Sequence, residues 1–495
     1  MVRAQWRSGF LLLACGLAAF AVALGTYLGY ALTHPVPYWM DPVDLRVYRV
    51  GGLIAAHVAP WYNPHRVSPL YDWPGHLNLK FTYTPFAALL FTMLTIPALP
   101  LLLKTWVAVN VLALIAAIWF TLGGLPQFSP GGPAQGSAVS VGPARAARTG
   151  PPQEAGPTAP TRAARMGATL LLAAVMFWTE PVQRTLYLGQ IELVLMALIM
   201  WDACQPDRRW WKGAGIGLAA GIKLVPLIFI PYLLLTGRFR QAAVAAGTCA
   251  ATVALGFCVL PADSRRWWLG GVFARGSRTG FVGWEGNQSL SAVVTRFAGS
   301  VTGGHGPWLA VAALTVVAGL AAAAVLARSG YPLAGVLTCA LTGLLASPIS
   351  WDHHWVWVVP GVAALAGYAA RCRAALRWAL LAVAALVTGL FAAWPGSLLG
   401  EAANLGGFSL GLIWLPPNTN PGTYYQLGDR PWYPEYHWHD TELVTGNLYV
   451  LTGLTGLLLL IAFALVRVRG TTRPHAQSAA RPTAVASSAA GATTT

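Results

Sequence analysis

Charge is scarce in this chain. Only 10% of its 495 residues are Asp, Glu, Lys or Arg, while 56% are hydrophobic. A soluble domain carries roughly 25% charged residues, so a soluble globular protein is excluded. Acidic residues are the scarcer sign, 16 against 32 Lys and Arg, leaving a formal charge of +16. That excess forms no basic face interleaved with aromatics on a soluble module, which excludes nucleic acid as a partner. It falls instead in short clusters beside apolar runs, at Arg3 and Arg7, Arg208-Arg209, Arg238 and Arg240, Arg371 to Arg377, and Arg467 to Arg473. Such clusters mark cytoplasmic ends of membrane segments. Paired cysteine spacing is absent as well. Cys15, Cys204, Cys249, Cys258, Cys339 and Cys372 lie in or at the edge of apolar stretches, so neither a disulfide framework nor a thiolate metal site is indicated.

What the chain has in plenty is apolar sequence. Crossing a ~30 Å hydrocarbon core takes about 20 helical residues, and suitable runs lie near 9–32, 82–102, 104–124, 166–182, 186–204, 213–235, 241–261, 307–327, 331–349, 355–370, 376–395 and 446–467. They predict an all-α polytopic membrane protein of about twelve transmembrane helices. The first run follows Arg3 and Arg7, is longer than a signal-peptide core and has no small-x-small site after it, so it reads as a retained helix with a cytoplasmic N-terminus. Residues 34–81, 262–306 and 396–445 are then external. All three are rich in Trp, Tyr, Asn and Pro, as in folded loops that bind something. Residues 126–165, a Pro/Gly/Ala/Ser/Arg stretch without periodicity, read as a flexible linker between the segments of 1–125 and the core of 166–467. Residues 468–495 read as a disordered cytoplasmic tail. Pro181 and Pro226 are placed to break helices, which leaves the topology of 125–240 open.

Polar residues beside the apolar runs carry the chemistry. Asp41 and Asp44 follow the first helix. Asp41-Pro42 fits a helix cap with Pro at the first helical position, and Asp44 fits a general base acting on a hydroxyl. Arg46 and Tyr48 lie near it, Arg46 placed to pair with Asp44 or with a phosphate. Tyr83, in Phe81-Thr-Tyr-Thr-Pro85-Phe86, is either an interfacial anchor or part of the same site. Trp351-Asp352-His353-His354 sits between apolar segments, and its histidines fit phosphate contact, donation to a leaving group, or metal ligation. Metal ranks last, because two adjacent histidines lack the i, i+4 spacing of a helical zinc site. No resident metal or cofactor is expected, although a divalent ion is not excluded. Trp284, Asn287 and Gln288 offer a stacking face and amides suited to sugar hydroxyls, and a dense aromatic set from Tyr424 to Trp438 suits a glycan or the packing of its own loop. At membrane depth, Gln190 precedes Glu192, and Lys223 fits either a lipid-linked phosphate or a pair with Glu192.

Taken in order, Asp44-Leu-Arg-Val-Tyr48, Phe81-Thr-Tyr-Thr-Pro85-Phe86, Leu188-Gly-Gln190, Gly221-Ile-Lys223-Leu-Val-Pro226, Asn287-Gln-Ser289 and Ser347-Pro-Ile-Ser-Trp-Asp-His-His354 resemble glycosyltransferase family 87. This is a group of polyprenyl-phosphate-mannose-dependent alpha-(1,2)-mannosyltransferases of the C-type (GT-C) superfold. The likeness runs from about 40 to 370. It implies inverting transfer from a polyprenyl-phosphate-linked sugar to a glycolipid or lipoglycan acceptor at the extracytoplasmic face of the plasma membrane. Asp44 would be the base. His353, His354, Arg46, Lys223, Tyr48 and Tyr83 would hold the donor phosphate or sugar, and Trp284, Asn287, Gln288, Trp351 and Gln190 the acceptor or sugar. Glu192 departs from the family, which often has Asn after Gly-Gln-x. The 126–165 stretch and the 396–445 loop exceed its core. An arabinofuranosyl or other polyprenyl-linked donor is the alternative within the class. A transporter or flippase would share the hydropathy, but it should show an internal repeat and a mid-bilayer site, whereas these clusters gather at one face.

Overall fold

The computed structural model describes residues 2–34, 39–58, 68–71, 79–125, 162–275, 278–394, 411–416 and 434–471. Among them the chain is helical with no strand, and isolated bridges join Thr179 to Ala392 and Asn287 to Trp351. The helices are α1 (Val2–Thr33), α2 (Val43–Ala55), α3 (Pro85–Phe91), α4 (Leu99–Gly123), α5 (Arg162–Met176), α6 (Glu180–Leu188), α7 (Glu192–Ala203), α8 (Ala214–Ile222) and α9 (Phe229–Leu235). They continue as α10 (Phe239–Val259), α11 (Pro261–Ser264), α12 (Leu290–Ala298), α13 (Val301–Arg328), α14 (Pro332–Ala346), α15 (Val358–Ala369), α16 (Ala374–Leu390), α17 (Asp440–Thr445) and α18 (Leu448–Thr471).

Among the described residues, five helices are long and apolar enough to cross a membrane: Ser8–Thr33 within α1, α4, α10, α13, and Leu448–Arg469 within α18. The bent pair α6 and α7 makes a sixth if taken as one span. The expected count of about twelve crossings is not confirmed among the described residues. The apolar positions themselves hold: α10 and α13 fall over 239–259 and 301–328, where 241–261 and 307–327 were expected. Several runs are interrupted. The run over 213–235 breaks at Lys223, whose backbone is extended between α8 and a 3-10 turn at Val225–Ile228. The run over 186–204 takes in the 119° bend between α6 and α7. Hydropathy averaged along a window passes over such breaks. Leu314 and Val317 on α13 and Leu458 and Leu459 on α18 stay exposed, as apolar side chains facing lipid do.

α1 lies along α5 closely enough that a Cβ on Gly16 would meet the Gly167 carbonyl oxygen at 2.5 Å. Small residues permit this approach where lipid supplies no hydrophobic drive for helix association. α5 starts at Arg162, inside the expected linker; residues 126–161, the tail beyond 471, and Tyr424, Tyr425, Trp432 and Tyr433 lie outside the described residues. A continuous apolar core runs from α2 and α3 through α4, α7 and α14 to α15 and α18. α7 and α8 form a hairpin within it, and the polar residues at one end of that hairpin make the site.

Candidate active site

The site begins at a break in the chain. α6 ends at Gly189 with φ +71, a left-handed conformation in which a side chain would be strained, and a Cβ there would press on Leu45 of α2 at 2.7 Å. Trp106 of α4 donates its indole N–H to the Gly189 carbonyl at 2.9 Å. This turn delivers Gln190 to α2. The Gln190 side-chain oxygen accepts from the Tyr48 hydroxyl at 2.5 Å and the Tyr83 hydroxyl at 3.3 Å, and the two phenols share a hydrogen bond of 2.8 Å. With its oxygen so occupied, the Gln190 amide is left to hydrogen-bond the Asp44 carboxylate. Asp44 and Tyr48 are one helical turn apart on α2 and so share a face.

Asp44 is deep in the protein yet only partly covered, the position of a group on a cleft wall. Burial pushes its pKa above the ordinary carboxylate range, opposed by the charges of His353, Lys223 and Arg184 and by the Gln190 hydrogen bond. Asp41 does not cap α2. Pro42 is itself the cap residue, with ψ +50 outside the helical region, no side-chain oxygen caps the helix, and α2 starts one residue later than the sequence implied.

Lys223 reaches the same cleft because its strand-like backbone turns it out of the α8 helix. Thr84 clips the neighbouring segment in place, donating to the Gly221 carbonyl at 2.5 Å while its oxygen caps α3 by accepting from Ala87 N–H at 3.1 Å. The Lys223 ammonium ion-pairs with Glu192, lies 2.9 Å from His354 Nε2, and stands 5.5 Å from the Tyr83 ring centre. Burial, then the Lys223 and His353 charges, hold His354 well below the ordinary imidazole range. It is a neutral ring accepting the ammonium at Nε2, which places its proton on Nδ1.

His353 is held differently. Its backbone N–H and Nδ1 both meet Asp352 Oδ1, at 2.8 and 3.0 Å. Its Nε2 is buried and has no hydrogen-bond partner. Asp352 is fixed in turn by Arg184 Nε at 2.9 Å. Burial alone would raise the Asp352 pKa, but Arg184 and His353 outweigh it and hold the carboxylate ionised. Behind Arg184 lies Glu180, fully buried, accepting from Trp414 Nε1 at 3.1 Å and Tyr449 hydroxyl at 2.9 Å. Arg184 and Glu180 were not singled out from the sequence. The available signal was two charges within the run 180–190, beside apolar sequence on both sides.

Asp44, Tyr48, Tyr83, Gln190, Lys223, His353 and His354 thus come together. Arg46 does not join them, since two residues along a helix places it about 200° around from Asp44, and among the described residues no ion pair joins the two. Asn287 and Gln288 are fully buried and spend their amides on backbone. Asn287 donates to Val282 and Pro348 carbonyls and accepts from Ser350 N–H; Gln288 donates to Glu285 and Gly446 carbonyls. Together they staple the loop before α12 to the His353 turn and the start of α18. Trp284 packs edge-on to Trp351 at 5.4 Å and against Trp414 at 5.6 Å. Both Trp284 and Trp351 keep partial exposure beside this staple.

Glu192, His353 and His354 bring ligand atoms within 4.8 Å of one another, a proximity that sequence spacing did not suggest. Two of these groups already hold the Lys223 ammonium, so the cluster has a cation of its own. Chemically, the arrangement sets a carboxylate with a raised pKa near an ammonium and an unpartnered imidazole nitrogen.

The glycosyltransferase family 87 model matches residues 81–348, more than half of the chain. The chain belongs to glycosyltransferase family 87. It is therefore a glycosyltransferase, and its apolar helices make it a multi-pass membrane protein. A Mycobacterium tuberculosis protein named polyprenol-phosphate-mannose-dependent alpha-(1-2)-phosphatidylinositol mannoside mannosyltransferase is 30% identical over 69% of this chain and 73% of its own length. A second M. tuberculosis protein, named for the pentamannoside, is 31% identical over 69% and 70%. A Mycolicibacterium smegmatis pentamannoside mannosyltransferase is 29% identical over 84% and 86%. No solved structure matches the chain.

Proposed function

We propose that this glycosyltransferase moves a mannosyl group from a polyprenyl-phosphate-linked donor to a hydroxyl of a phosphatidylinositol-mannoside type of glycolipid, at the extracytoplasmic face of the plasma membrane and with inversion. The names of its relatives support the donor and the acceptor class. The observation that supports the mechanism is the nearness of Asp44 to Lys223 and His353, whose charges act on its carboxylate. Asp44 takes the proton of the acceptor hydroxyl as its oxygen bonds to the anomeric carbon. The bond from that carbon to the phosphate oxygen breaks, and its electron pair leaves with the polyprenyl phosphate. Positive charge builds on the sugar and negative charge on the phosphate, so Lys223 and His353 Nε2 stabilise the leaving group. Gln190, Tyr48 and Tyr83 orient the base, and Arg184 with Asp352 orients His353. Trp284 and Trp351 supply an aromatic wall for the acceptor sugar, and no metal is required.

The test is transfer of labelled mannose from polyprenyl phosphate mannose to phosphatidylinositol mannosides in membranes. Asp44→Asn is expected to lose on the order of 10²- to 10⁴-fold in rate at equal expression, the usual share of a general base. EDTA should leave native transfer unchanged. Native-like transfer by Asp44→Asn removes the base assignment, and no transfer by the native protein removes the mannose donor.

A further inference from the structure

A second cavity lies away from this site. It has a volume of about 260 Å³ and lies at the other end of the α7–α8 hairpin, where the ends of α4 and α7 meet the starts of α8, α10 and α14. α7 runs from Glu192 to Ala203, so its twelve residues put the cavity about 18 Å from the Asp44 cluster along the helix axis. A ligand there belongs to the opposite face of the protein.

Its walls carry two cations and a buried phenol. Lys212 is almost wholly buried, its ammonium donating to the Gln205 carbonyl at 2.6 Å and to Asp207 at 2.8 Å. Arg238 enters from the other wall, its Nε 3.8 Å from Asp207. The Tyr232 hydroxyl, 1% exposed, also lines the cavity and has Arg238 as its charged neighbour. Asp202 cannot serve as counter-ion to a ligand cation, because both of its oxygens accept from the backbone, Gly213 N–H at 2.8 and 3.1 Å and Ile216 N–H at 2.9 Å. Asp207 is the one loosely held acid, its side chain 60% exposed at the mouth while bridging Lys212 and Arg238. It stands where an incoming anion would bind. The starts of α10 and α14 also have no side-chain cap, which adds positive helix ends to the same space.

We propose that this cavity binds the phosphate headgroup of an anionic membrane lipid, with Lys212, Arg238 and the Tyr232 hydroxyl as its donors and Asp207 as the built-in occupant it displaces. Two features favour a lipid over a free anion. The inner wall is apolar, formed by Phe229, Leu233, Leu333 and Val336. The surrounding surface is basic at Arg208, Arg209 and Arg240 and exposes Trp210 at 79% and Phe239 at 67%, the pairing of basic and aromatic residues found at a lipid interface. The site stands apart from the transfer reaction and does not depend on the sugar or acceptor assigned to it.

The experiment is native mass spectrometry of the full-length protein, titrated with phosphatidic acid, with diacylglycerol of the same chains, and with inorganic phosphate. Phosphatidic acid should bind at least roughly tenfold more tightly than diacylglycerol, which lacks the charged acceptor, and than inorganic phosphate, which lacks the chains that meet the apolar wall. Arg238→Gln should remove about tenfold of that affinity and Tyr232→Phe somewhat less. Asp207→Asn, which discharges the internal competitor, should tighten binding several-fold, a gain that misfolding cannot mimic. Equal binding of diacylglycerol, equal binding of inorganic phosphate, or an Asp207→Asn affinity no higher than native would each overturn the proposal.

Discussion

The two ends of the α7–α8 hairpin each carry an acid and a lysine, and they use them in opposite ways. At one end Asp202 is fully buried and both of its carboxylate oxygens are taken by backbone N–H groups that open α8. It closes a turn, and nothing remains to act on a ligand. At the other end Glu192 meets no such backbone set. It holds the Lys223 ammonium at a partly open wall, with His354 Nε2 beside both groups, 3.6 Å from the Glu192 carboxylate. The comparison teaches that burial alone does not distinguish a structural acid from a functional one. What distinguishes them is whether the partners are backbone donors, which cannot be released, or side chains that can turn to a substrate.

Three substitutions would break or sharpen that contrast, the largest effect first. Arg184→Met should remove ~3–5 kcal/mol of stability, because it breaks a buried ion pair and leaves His353 as the remaining partner of the Asp352 carboxylate. The readout is thermal unfolding of the purified protein, and an unchanged midpoint would show that Asp352 has other support. Lys223→Gln should cost on the order of a hundredfold in transfer, the usual loss when one charged stabiliser of a developing anion is removed, while unfolding shifts little. Full activity would return Lys223 to the structural side of the comparison, as a mere partner for Glu192. Asp202→Ala should do the reverse, losing ~1–3 kcal/mol of stability as buried N–H groups go unmet while the rate per folded molecule stays native. A rate loss larger than the loss of folded protein would show that the hairpin ends are not independent.

Most of this arrangement was legible in the sequence at the level of residue type. Asp44, Lys223 and the His353-His354 pair stand out because charges and imidazoles are costly beside apolar runs, and the structure brings them to one cleft. Their supports were not legible. Arg184 and Asp352 are 168 residues apart, and no local pattern joins them. Asn287 shows the complementary difficulty. The donors and acceptor that suit a sugar hydroxyl equally suit backbone carbonyls, and only the approach of Pro348 and Ser350 decides that its amide is spent on the fold. The breaks were half legible: Pro226 marks the one beside Lys223, whereas a hydropathy window averages across the one at Gly189. They are nonetheless what turns Gln190 and Lys223 toward Asp44.

The smallest effect, and the one that ties the base to its neighbours, is in the pH dependence. Asp44 accepts a proton only when ionised, so transfer should fall as pH drops through its pKa. Burial raises that pKa, which places the acid limb above the pH of about 4 expected for an exposed Asp. Lys223 is one of the charges holding the rise in check. Removing it in Lys223→Gln makes the carboxylate harder to ionise, so the acid limb of the residual activity should move to still higher pH. A limb at the ordinary carboxylate position would mean that Asp44 is better hydrated than its place in the cleft implies. A limb that stays put in Lys223→Gln would separate the two residues electrostatically, and with them the base from the phosphate side of the site.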